Sequence, residues 1–161
     1  MSPGAPYHHF PDETALLAEV AREGFEALGE EQAAAHGPDP GARLAAMTAA
    51  YVRFAGAHAT HYAVMFAMLP DRVEGPGAAA LRAAAKTTFA PLAAAISAAN
   101  PDLTPPQAHR RALHAWAHAH GAVSVGGLAT GLEPAFDPET FAAEVGESVR
   151  ALAEAPALTA R

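Results

Sequence analysis

The stretch DPGARLAAMTAAYVRFAGAH, residues 39–58, decides how this chain folds. Asp39 is a residue type that caps helices, and Pro40 suits the first helical position, where its missing N–H leaves no bond unmade. Leu44, Met47, Tyr51, Phe54 and His58 then step by three or four along one face, which is the period of an amphipathic helix. Composition points the same way. Hydrophobic residues are 51% of the chain but aromatics only 7%, with Ala supplying much of the difference, and that favours closely packed helices. Strand signals are poor throughout.

Working outward, Asp12 caps a helix over residues 13–33, with Glu13 in its first turn and Leu17, Val20, Ala21, Gly24 and Leu28 on its apolar face. HGPDPG at 36–41 ends it. After His58, the run HYAVMFAML forms a short helix that stops at Pro70. It is apolar nearly all round, so it is buried or covers a cavity. Residues 78–99 form an Ala-rich helix carrying Leu81, Phe89, Leu92 and Ile96, and Pro91 inside it predicts a kink near Thr87. TPPQ at 104–107 is a capping box, Thr104 the cap and Gln107 reaching back, that opens a helix running to about Thr130. DPET at 137–140 opens the last helix, with Phe141, Val145, Val149 and Leu152 on one stripe. The expected fold class is all-α, with five long helices and one short one in a single domain. A chain of 161 residues is long enough for a core without staples.

Composition also excludes functions. With no Cys there is no disulfide, thiolate metal site or thiol nucleophile. Lys plus Arg number 10 against 17 Asp plus Glu, and a formal charge of -7 repels phosphate backbones. No apolar run approaches the ~18 residues of a bilayer span, and residues 1–11 carry neither a basic nor an apolar leader region, so a soluble cytoplasmic protein is expected. No nucleophile–base pair, phosphate loop or catalytic carboxylate pair is present, so the chain reads as no enzyme and needs no cofactor.

Two His pairs stand out. His114 and His118, at i and i+4, have the spacing with which two imidazoles bind one metal, although nothing in the spacing brings His109, His58 or His61 to them. A His-rich helical bundle holding metal or haem is therefore the alternative function, against two polar residues on an exposed face. Trp116 and His120 read either as a pocket wall with a hydrogen-bonding imidazole or as core packing with a His bonded to a carbonyl.

SPGAPYHHFPDETALLAEVAREGFEAL, residues 2–28, resembles the segment of TetR-family regulators that leaves the DNA-recognition helix and enters the ligand-binding core. AYVRFAGAH, HYAVMF, FAPLAAAI and AWAHAHG look like the C-terminal subgroup with the Trp-x-x-x-His-Gly (WHG) signature. The resemblance implies a TetR-like C-terminal helical bundle that dimerises through its last two helices as a homodimer. Residues 1–11 become a remnant of the recognition helix, 12–155 the effector-binding and dimerisation domain, and 156–161 a frayed tail. Tyr7 and His9 carry over as DNA backbone contacts, with Ala5 and Pro6 on the remnant helix. The family has two further helices upstream and a Lys where this chain has Glu13, so operator DNA is a partner only when those helices are present. Met1-Ser2 stands where the family has Val-Ser, which reads as an initiator assigned inside a longer frame.

The effector pocket is expected between the second, short and kinked helices and the Trp116 face, lined by Phe54, His58, Tyr62, Met65, Phe66, Phe89, Trp116 and His120. That lining suits a small apolar or aromatic effector. Ala117, Gly121, Ser124 and Gly127 are expected to admit a close partner helix, with Val145 and Val149 facing the same partner.

Overall fold

The computed structural model describes residues 10–68, 73–75, 77–132 and 136–156, without the side chains of 127–132. Among these residues the fold is all-helical: α1 (Glu13–Ala33), α2 (Pro40–Ala57), α3 (Ala59–Ala67), α4 (Ala78–Ala99), α5 (Pro105–Leu132) and α6 (Pro138–Glu154). Each expected carboxylate cap is in place. Asp12 accepts the amide of Ala15 at 2.8 Å, Asp39 that of Ala42 at 2.7 Å and Asp137 that of Thr140 at 3.0 Å. Ahead of α5, Gln107 reaches back to accept the Thr104 amide at 2.8 Å, and it also accepts the Thr104 hydroxyl at 2.7 Å. α4 runs through Pro91 as one helix, with Pro91 itself exposed.

α2 is the axis of the bundle, packed against α1, α4, α5 and α6. Its apolar stripe explains why. Leu44, Met47 and Phe54 are at most 1% exposed, and each looks into one of two adjoining cores. The first core joins Phe25 and Leu28 of α1, Phe54, Met65 of α3 and Leu81 of α4; the second joins Leu44, Met47, Ile96, Ala112 and Val149.

The last helix corrects the sequence reading. Val145 and Val149 are buried within this chain, where α6 lies along α2, so their stripe is consumed by the protomer's own core. The approach is close because Gly146 has no side chain: a Cβ there would run into the carbonyl of Ala45. The C-terminal end of α6 is also held. Asn100 donates to the carbonyls of Ala153 and Ala155 at 3.1 and 3.0 Å, and Arg111 donates to the same two oxygens and to Pro156 at 2.8, 2.5 and 3.0 Å. Carbonyls that a helix end leaves unpaired thus find donors, one of them a cation at the negative end of the helix dipole. Pro156, the first residue of the expected tail, is part of this clasp; the rest of that tail lies outside the described residues.

α3 is less buried than its composition suggests, since Met65 is its one fully buried residue. Of the two readings open to an apolar short helix, covering a cavity is the one that its position fits.

Candidate ligand-binding cavity

A cavity of about 260 Å³ lies between α1, α2, α3, α4 and α5. Phe25, Leu28 and Gln32 of α1 form one wall and Met65 and Phe66 of α3 another; Ala85, Thr88, Phe89 and Leu92 come from α4, Tyr51 from α2, and Leu113 and Trp116 from α5. None of these groups is charged. Leu113 is 43% and Trp116 36% exposed, which puts the α5 side of the cavity at its opening. Three aromatics bound that side, with the Trp116 ring 6.1 Å from Phe66 and 6.3 Å from Phe89, the latter edge-on.

At the α2–α5 end the wall meets a polar cluster. The hydroxyls of Tyr51 and Tyr62 are 2.9 Å apart, and Nδ1 of His120 is 2.6 Å from Tyr62 and 3.1 Å from Tyr51. Tyr62 as donor across the shortest contact places the His120 proton on Nε2, and Tyr51 then donates to the Tyr62 oxygen. Burial pushes both phenols up from the usual tyrosine value, so they remain protonated donors, and it pushes His120 down, so its ring remains a neutral acceptor.

This arrangement has a pH signature. Because the folded pKa of His120 lies below its unfolded value of about 6.5, the unfolded chain takes up the proton first as the medium is acidified. The contribution of the neutral ring is complete above the unfolded value and is lost as pH falls through it toward the folded one. Urea unfolding at about pH 7.5 and about pH 5.5 is expected to show a larger acid-side loss for the wild type than for His120→Gln. Equal losses would remove His120 from this role.

Of the eight expected pocket residues, the structure places Met65, Phe66, Phe89 and Trp116 on the cavity wall. Tyr62 and His120 stand behind it and reach it through Tyr51, the wall residue they hydrogen-bond. Phe54, 1% exposed, is core packing, and His58 is an exposed residue stacked on Phe54 at 4.8 Å with Nε2 3.6 Å from the Glu31 carboxylate. The α1 wall was missed. Its signal is in the sequence, since Phe25, Leu28 and Gln32 continue the stripe through Ala21, but the helical period does not tell a cavity wall from a core. His114 and His118 are both exposed, and among the described residues no group of three or more His, Cys, Asp or Glu is placed to hold a metal. Tyr7 and His9 lie outside the described residues. No helix is long and apolar enough to cross a membrane among the residues described.

The fold has counterparts. The family model described as "Tetracyclin repressor-like, C-terminal domain" matches residues 44–155, a span that takes in nearly all of α2 and the whole of α3 to α6. A solved structure described as "Structure of a protein with unknown function from Rhodococcus sp. RHA1" is 27% identical, with a TM-score of 0.73 over 91% of this chain and 77% of that one. No curated protein matches the sequence. With the family model spanning more than half of its residues and the expected all-helical architecture around them, the chain belongs to the TetR-like C-terminal domain family.

Proposed function

We propose that this chain is the effector-binding and dimerisation domain of a TetR-type transcriptional regulator, of the Trp-x-x-x-His-Gly kind that Trp116, His120 and Gly121 suggest. The observation that carries the reading is the uncharged, largely apolar cavity of about 260 Å³ that five helices, α1 to α5, line together. Burying an ionised group against such walls is costly, so the effector is a neutral molecule of one or two rings. It acts by favouring one spacing of the helices that it touches over another. No cofactor is part of this reading.

A homodimer through α5 and α6 fits the same reading, with the contact on α5. Ala117, Gly121, Ser124 and Val125 are exposed there, Val125 at 60%. Glycine inside a helix costs roughly 1 kcal/mol against alanine, yet among the described residues nothing lies within 4 Å of where a Gly121 Cβ would stand. The protomer gives no reason for that glycine, and a closely packed partner helix does. Specific DNA binding is not expected of these 161 residues, given a formal charge of -7 and Glu13 at the start of α1, where the family has a phosphate-seeking Lys.

One preparation tests the reading. Trp116 is the single tryptophan and lines the cavity, so bromobenzene, whose bromine quenches indole emission on contact, is expected to quench it saturably. Light scattering of the same sample is expected to give the mass of a dimer, and duplex DNA to remain unshifted at physiological salt. Quenching that rises linearly without saturation would refute an effector cavity, and a monomer mass would refute the interface.

A further inference from the structure

Gln32 is anomalous. It is 8% exposed, it lies on the cavity wall, and its carboxamide has no hydrogen-bond partner among the described residues. Yet no fully enclosed side-chain nitrogen or oxygen there is left unpaired, so the carboxamide keeps accessible surface at the cavity. An amide that faces an apolar cavity can bond only what stands in that cavity, and Phe25 and Leu28 before it on the stripe show that an apolar side chain would have served for packing alone. The Gln is therefore accounted for by something that enters the cavity.

The two hydroxyls of the wall are already engaged. The Thr88 hydroxyl donates its single hydrogen to the carbonyls of Phe25 and Ala84, at 2.8 and 2.9 Å. The Tyr51 hydroxyl lies within the cluster with Tyr62 and His120, and the Trp116 indole carries a donor but no acceptor. Gln32 alone on this wall offers a donor and an acceptor side by side, both uncommitted.

We infer that Gln32 is the specificity-determining residue of the cavity and reads a neutral cis-amide edge, as in a lactam, imide or primary carboxamide, on a body of one or two rings. The inference rests on the effector reading above. A carboxamide and such an edge close two hydrogen bonds at once, one in each direction. A carboxylate is disfavoured because the wall holds no cation to meet it.

The test compares three probes of nearly one shape by calorimetry: 2-quinolone, which has the edge; N-methyl-2-quinolone, which lacks the donor; and naphthalene, which has neither donor nor acceptor. The wild type is expected to bind 2-quinolone about tenfold or more tightly than either of the others, on the net worth of two hydrogen bonds. Gln32→Met, similar in length and apolar, is expected to lose that preference while keeping its affinity for naphthalene. The N-methyl comparison needs no variant, so it decides the matter even if Gln32→Met packs poorly. Naphthalene bound as well as 2-quinolone by the wild type would overturn the role of Gln32 and leave the cavity reading standing. Binding of none of the three would overturn both.

Discussion

Phe54→Ala is expected to lower the free energy of unfolding by about 3–5 kcal/mol. The ring is 1% exposed in the first core, packed with Met65 of α3 and Leu81 of α4, and truncation leaves a void that helices fixed at both ends close only in part. Urea unfolding is expected to show a lower midpoint at an unchanged slope. The same variant separates packing from binding. Phe54 is not on the cavity wall, so at temperatures where the variant is folded its bromobenzene affinity is expected to match the wild type. A loss below about 1 kcal/mol would mean that the core closes over the gap. A large affinity change in the folded variant would return Phe54 to the site.

Gly146→Val is expected to cost about 1–3 kcal/mol or more, through overpacking rather than lost contact. A side chain at this position meets the carbonyl oxygen, carbonyl carbon and Cα of Ala45, all backbone, so α6 has to move off α2. The movement reaches the second core, because Leu44 and Met47 of α2 pack there with Val149. Gly24→Ala is the control. A Cβ at Gly24 meets the Met65 thioether, with Sδ at 2.6 Å and Cγ at 2.8 Å, and a flexible methionine tip moves where a carbonyl cannot. Both glycines are helical, so the propensity gain offsets part of each loss. The expected order is a clearly smaller loss for Gly24→Ala than for Gly146→Ala measured beside it, and the reverse order would show that the α2–α6 contact is the softer one.

Helix positions were legible in the chain because their determinants are local. Asp12, Asp39 and Asp137 announce helix starts by chemistry within three residues of each cap, and the stripe through Leu44, Met47 and Phe54 fixes which face of α2 turns inward. Met65, Phe66, Phe89 and Trp116 were legible as cavity residues for a related reason, since large apolar groups on a short helix and on its neighbours must face either a core or a space. The stripe of α6 was not assigned to the right neighbour. A period of 3.6 says that Val145 and Val149 are covered, but it does not say by what, and the cover is α2 of the same chain.

The helical class, the bounds and caps of the helices, and the family to which the motifs point are all written locally, because each depends on neighbours a few positions apart. Which residues share a cavity follows from the packing of whole helices. Tyr51 meets His120 across 69 positions and Gln32 stands opposite α4 and α5, contacts that depend on how far one helix slides and turns against another. Small differences in that packing move a residue from wall to core, as they do for Phe54, or from stripe to wall, as they do for Gln32. No local period carries that information, because the crossing of two helices is set by all the side chains between them at once.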